Sequence, residues 1–156
     1  MSRQLLILRH GEAASGALDF ERELTDKGIN DARFAGQWLA KRDLLPDKVL
    51  SSPAVRTRQT LQSVIDGMGQ APAPASQFPQ QLYNADSQAL SELLRQQPAN
   101  CQRLLLIGHN PGLSVIASTL TGQTLALSPA SLLLLEFDLD WSGLGSASAR
   151  LKDRLQ

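Results

Sequence analysis

Two short apolar runs, Leu5-Leu6-Ile7-Leu8 and Leu104-Leu105-Leu106-Ile107, each break off within two residues at a histidine beside a glycine. Unbroken apolar runs of this length suit strands buried on both faces, as in a parallel sheet covered by helices. Open α/β sheets bind ligands outside the carboxyl ends of their strands, so both imidazoles fall where a site is expected. His10 and His109 are the two histidines of the chain, and each ends such a run.

Between the runs, helical and extended patterns alternate. Ala14 to Glu23, small and polar, reads as a surface loop with Arg22 at its end. Thr25 is placed to cap a helix from about Asp26 to near Asp43, with Ile29, Ala32, Ala35 and Leu39 inward and Phe34 and Trp38 widening the buried face. Lys48 to Ser51 reads as a second strand. Ser52 and Pro53 look like the cap and first position of a helix whose core face is Thr57, Leu61, Val64, Ile65 and Met68.

The Ala/Pro stretch from Gly69 to Ser76 reads as a loop, and Gln77 to Tyr83 as a place for a short extended piece. Asp86 or Ser87 caps a helix carrying Leu90, Leu93 and Leu94. A further helix runs from about Pro111 through Leu120 and ends at Gly122. Ser131 to Phe137 reads as another strand, and the alternating tail from Ala149 to Leu155 as a half-exposed edge strand. The pattern predicts an α/β fold, a three-layer α/β/α sandwich with a mainly parallel central sheet and an antiparallel edge strand.

A chain of 156 residues, 42% hydrophobic and 19% charged, fits one soluble domain over 1–156. Fifteen Lys and Arg balance fifteen Asp and Glu, so no global field draws in nucleic acid or a membrane surface. The lone Cys101 excludes an internal disulfide framework and fits a reducing compartment. Leu5 to Leu8 is too short for a signal core, no run reaches the length of a bilayer span, and the expected location is cytoplasmic.

Four positions share one placement: Arg9 and His10 end the first strand, Arg56 opens the helix after the second, and His109 ends the later buried strand. All converge on one sheet edge. Guanidinium groups grip phosphate bidentately and helix starts add amide donors, so phosphate, or another oxyanion of its shape, is the expected ligand. Two histidines with no carboxylate at ligand spacing point to cations in place of a metal, and no cofactor is expected. Glu12 reads as a capping or surface-pair residue, Arg58 as solvated, and Arg33, Lys41 and Arg42 as exposed charges.

Arg9-His10-Gly11, then Ser51-Ser52-Pro53 with Arg56 and Gln59-Thr60, then Gly108-His109, resemble the histidine phosphatase (phosphoglycerate-mutase-like) superfamily in kind and order. Arg22 to Gly28 resembles that family's segment before its first helix. The short length, Leu82-Tyr83-Asn84-Ala85 and Gly108-His109-Asn110-Pro111-Gly112 are most similar to its SixA-type phosphohistidine phosphatases. The resemblance implies that His10 attacks phosphorus to form a phosphohistidine that water hydrolyses. It implies too that Arg9, Arg56 and His109 hold the phosphoryl oxygens, with Arg22 a further clamp.

One element of the family's pattern is missing. Its mutases and ester phosphatases carry an acidic proton donor after the Arg56-type helix, and between Gly67 and Gln102 this chain has only Asp86, which reads as a helix cap, and Glu92, which reads as mid-helix surface. An alkoxide, whose conjugate acid has a pKa of roughly 16 by analogy with water, needs that donor. A phosphorylated imidazole leaves as neutral imidazole once its other nitrogen carries a proton, with a pKa near 6.5, and needs little help. The expected substrate is therefore a phosphohistidine-bearing protein. The alternatives are a small phosphomonoesterase or mutase-like enzyme using Asp86 as acid, and a module that binds phosphate without turning it over.

Overall fold

A computed structural model describes residues 2–16, 18–69 and 72–156. Its centre is strand β1, Arg3–Arg9, paired in parallel with β4, Arg103–Gly108, so that the two apolar runs lie side by side, Arg9 opposite Gly108. Strand β2, Lys48–Ser51, flanks β4 in parallel, and β3, Ala75–Gln77, closes that edge, also in parallel. On the other side β5, Leu132–Phe137, runs antiparallel to β1, and β6, Arg150–Leu155, runs antiparallel to β5. The order is β3-β2-β4-β1-β5-β6, a mainly parallel sheet whose antiparallel portion holds two strands.

Alternation along the strands feeds two cores. Leu6, Leu8, Leu105 and Ile107 pack with helix α1, Asp26–Lys41, and helix α2, Val55–Met68, on one face. Leu5, Ile7, Leu104 and Leu106 pack on the other face with helix α3, Ser87–Arg95, helix α4, Gly112–Thr121, and the buried Trp141. The result is the three-layer sandwich that the sequence pattern predicts. The chain leaves β1 toward the α1 face and β4 toward the α4 face, so the connections part at the ends of these neighbouring strands, the place where open α/β sheets bind their ligands.

Local signals account for three of the helix boundaries. Thr25 caps α1 by accepting from the amide of Gly28 at 3.1 Å, Asp86 caps α3 by accepting from Ala89 at 2.9 Å, and Gly122 ends α4 at φ 70°. Helices α1 and α2 touch backbone to backbone at Gly36 and Gly67. A Cβ on Gly36 would lie 2.1 Å from the carbonyl oxygen of Val64, and one on Gly67 would lie 2.0 Å from that of Arg33.

Three expectations are corrected. Ser52 and Pro53 do not begin a helix: α2 starts at Val55, and the Ser52 hydroxyl is used in the site instead. Phe34 does not widen the buried face of α1 but is 54% exposed, because Ala35 and Gly36 bring α1 onto its neighbours and turn position 34 outward. The Ala/Pro stretch is not all loop. Its end forms the edge strand β3, which the free side of β2 recruits, while Gln80–Leu82 form a single 3-10 turn. Within that stretch Gln70 and Ala71, and within the first loop Ala17, lie outside the described residues.

Candidate active site

His10 is the first residue past β1, and its amide donates to the carbonyl of Gly108 at 3.2 Å, which fixes it beside the end of β4. Its Nδ1 lies 2.7 Å from the carbonyl oxygen of Gly11. A carbonyl only accepts, so the proton is on Nδ1 and Nε2 carries a lone pair. Toward that lone pair points the Nε–H of Arg56, at 3.4 Å.

Gly11 makes this turn possible. A Cβ there would lie 2.6 Å from the carbonyl oxygen of Gly28. The amide of Gly11 donates to Thr60 Oγ1 at 3.1 Å, and that hydroxyl donates to the carbonyl of Arg56 at 2.7 Å, which ties the turn to the first turns of α2.

His109 follows β4, and its ring centroid is 5.3 Å from that of His10. Its Nε2 is 2.7 Å from Ser52 Oγ, and its buried Nδ1 has no partner. The Ser52 oxygen also accepts from the amide of Ala54 at 3.3 Å, and its hydroxyl hydrogen has no other acceptor among the described residues, so it can donate to Nε2. With that bond the proton of a neutral His109 is on Nδ1, which, like Arg9 Nε, is buried with no partner among the described residues. Arg9 Nη1 is anchored on the carbonyl of Leu127 at 2.9 Å, where the side chain of Asn110 also donates, at 2.7 Å.

Both imidazoles are held neutral. Burial, assisted by the charges of Arg56, Arg9 and Arg22, pushes His10 down to about 4 against the raising effect of its bond to Gly11. Burial, then Arg56 and His10, pushes His109 down to about 3. Burial also lowers the pKa of Arg9, without approaching neutrality in consequence, since guanidinium stays protonated in proteins.

The structure therefore brings His10, His109 and Arg56 into direct or near contact, with Arg9 and Arg22 close enough for their charges to act on His10. Arg22 itself donates to the carbonyl of Ala14 at 2.8 Å and pairs with Asp19 at 3.3 Å. Glu12 faces away and accepts from the hydroxyl of Thr25 at 2.7 Å. Arg58 lies over the ring of Phe78, 4.0 Å from its centroid.

Two residues of this cluster had only a weak trace in the sequence. Asp19, within the expected surface loop, accepts from Arg56 Nη2 at 3.2 Å through its carboxylate and from Arg56 Nη1 at 2.6 Å through its backbone carbonyl. Tyr83 donates its hydroxyl to the same carboxylate, and its ring stands edge-on over His109, 5.7 Å between centroids. The hydroxyl of Tyr83 comes first in lowering Asp19 to about 2, with Arg56 and Arg22 adding to it. The spacing of Asp19 and Arg22, three residues apart, is the one local hint of this pairing.

Two neutral imidazoles and three guanidinium groups against one carboxylate have the charge and donors to hold a tetrahedral oxyanion, beside a ring nitrogen of His10 that carries a lone pair. Comparisons with known proteins identify the family. The family model of the histidine phosphatase superfamily (branch 1) matches residues 5–80. Phosphohistidine phosphatase SixA of Escherichia coli strain K12 is 31% identical over 146 residues, 92% of this chain and 89% of its own length. A chloroplastic protein of Arabidopsis thaliana is 30% identical over 152 residues, 90% of this chain and 70% of its own. The solved structure of the protein histidine phosphatase SixA complexed with tungstate superposes with a TM-score of 0.82 at 25% identity, over 97% of this chain and 96% of that one.

The fold and the comparisons define a histidine-nucleophile phosphatase. The chain belongs to the histidine phosphatase superfamily. Among the described residues, no helix is long and apolar enough to cross a membrane.

Proposed function

We propose that this enzyme, with residues 1–156 working as one domain, removes phosphoryl groups from phosphohistidine on a protein substrate, in the cytoplasm. Nε2 of His10 attacks phosphorus as the bond to the substrate ring nitrogen breaks, and water then hydrolyses the phosphorylated His10. Arg56, Arg9 and Nδ1–H of His109 bind the phosphoryl oxygens, with Arg22 as an outer clamp. Proton placement on His10 suits both steps, because its Nδ1–H stays on Gly11 while Nε2 gains and then loses phosphorus.

The observation that carries the substrate class is the state of Asp19, the carboxylate whose charge acts on His109. Bonded to Tyr83, Arg56 and Arg22, it is ionised at neutral pH and has no proton to give an alkoxide. A departing imidazole needs none once its other ring nitrogen carries a proton. Asp86, the acid of the ester-hydrolase alternative, has its carboxylate committed to the cap of α3. The name and likeness of the Escherichia coli relative support the same reading, and the single unpaired Cys101 supports a reducing compartment.

The test offers the purified protein a phosphohistidine protein and an alkyl phosphate ester such as glycerol phosphate, then repeats both with His10→Ala. Turnover confined to phosphohistidine and lost in the variant is the expected result. Preference for the alkyl ester would overturn the substrate class, and activity surviving in His10→Ala would overturn the nucleophile.

A further inference from the structure

A phosphate site gains nothing in affinity for a dianion from a carboxylate on its rim, yet Asp19 is bonded directly to Arg56. The Arg56 guanidinium spans two partners, its Nε 3.4 Å from His10 Nε2 and its Nη2 3.2 Å from Asp19 Oδ2. Arg56 is sealed in, whereas the Asp19 side chain is 49% exposed. His10 and His109 are buried beneath it, and the carboxylate is the solvent-facing end of the pair.

In-line displacement sends the leaving atom away from His10 Nε2, on the far side of phosphorus, and the exposed carboxylate of Asp19, bonded to the same Arg56 that reaches His10, is an acceptor open to it. We propose that Asp19 accepts a hydrogen bond from the distal ring N–H of the departing imidazole, so that it selects phosphohistidine over phosphate esters. The proposal rests on the phosphohistidine reading above and adds to it a residue that recognises the leaving group.

No acid takes part in the displacement. The His10 Nε2–P bond forms, the substrate P–N bond breaks, and its electron pair stays on the substrate nitrogen. With a proton already on the distal nitrogen, the ring departs as neutral imidazole. A free imidazole has a pKa near 6.5, so in alkaline solution that proton is largely gone, and a carboxylate accepting from it holds it in place.

Tyr83 and Arg22 complete the arrangement by fixing the carboxylate from two sides, the hydroxyl to Oδ2 and the guanidinium to Oδ1 at 3.3 Å. An ester that brings a dianion and no N–H meets only the negative charge. Asp19 thus acts on both sides of the discrimination, attracting one leaving group and disfavouring the other.

Wild type, Asp19→Asn, Asp19→Glu and Tyr83→Phe are assayed for kcat/KM between about pH 6 and pH 9, a range chosen to cross the imidazole pKa. The probes are a histidine-containing protein phosphorylated with phosphoramidate, and p-nitrophenyl phosphate, whose leaving group needs no proton. Asp19→Asn is expected to lose roughly 10-fold or more on phosphohistidine at the alkaline end, with the loss shrinking toward pH 6, where solvent protonates the ring. The ratio of the two substrates shifts accordingly. Asp19→Glu recovers part of the preference, and Tyr83→Phe moves it in the same direction as Asp19→Asn by a smaller factor.

Equal losses on both probes at every pH would overturn the inference and reduce Asp19 to a support for Arg56, as would the absence of any change. If Asp19→Asn does not fold, an unshifted ratio in Tyr83→Phe overturns it. Wild type that turns over the ester and not phosphohistidine would bring down the underlying reading, and this inference with it.

Discussion

The hydroxyl of Ser52, at the end of β2, lies 2.7 Å from Nε2 of His109, at the end of β4. With the hydroxyl donating, this bond puts the proton of His109 on Nδ1, a buried atom with no partner among the described residues. Ser52→Ala removes that donor. The expected loss in kcat/KM is about 10- to 100-fold, less than the 100- to 1,000-fold of deleting an oxyanion donor outright. Tungstate or phosphate inhibition weakens in parallel, and Ser52→Thr restores both. Unchanged kinetics in Ser52→Ala would show that the tautomer is set by other means.

Acid reaches this enzyme later than it reaches free histidine. With His10 at about 4 and His109 at about 3, the acidic limb of kcat/KM falls near pH 4 rather than 6.5. Rates measured on p-nitrophenyl phosphate check this, because that ester survives the acid better than a phosphohistidine does.

The same shifts set the pH dependence of stability. Both histidines are lowered on folding, so below about pH 6.5 the unfolded chain takes up protons that the folded chain refuses. Stability is full above that pH and falls through the window down to about 4 for His10 and about 3 for His109. The loss is on the order of a few kcal/mol for each histidine. Urea midpoints at pH 7, 5.5 and 4.5 are expected to fall in that order, and replacing His109 with Gln flattens the slope.

Asp86 caps α3, and on the function proposed above it takes no part in the chemistry. Asp86→Ala removes the acceptor for the amide of Ala89, lowering stability by about 1 kcal/mol and the melting temperature by about 2–4 °C. Turnover of phosphohistidine stays at the wild-type level. Selective loss of ester turnover would instead make Asp86 the missing acid.

Gly36→Ala tests the crossing of α1 and α2. The added Cβ would fall 2.1 Å from the carbonyl oxygen of Val64, so the helices must separate. Overpacking of this kind typically costs about 1–3 kcal/mol, against the few tenths to 1 kcal/mol that Gly→Ala gains elsewhere in a helix. Denaturant titration is expected to show net destabilisation, and an unchanged midpoint would mean the crossing yields easily.

Residue patterns with a short reach in the chain were legible from the outset. The four strands carrying long apolar or alternating runs, the helices capped by Thr25 and Asp86, and the stop at Gly122 all come from signals within a few residues. Because His10 and His109 directly follow two such runs, their arrival at one sheet edge was legible too. The fit of a mainly parallel sheet between helices follows from the same alternation.

What only the tertiary structure decided are pairings between residues with no sequence relation to each other. Ser52 bonds a histidine 57 positions away, and Tyr83 reaches a carboxylate 64 positions away. Taken alone, Ser52 before Pro53 resembles a helix cap, Asp19 resembles loop filler, and Phe34 resembles core. A hydroxyl or carboxylate has the same local propensity whatever it bonds, so its partner is fixed only when packed strands and helices bring the two ends together.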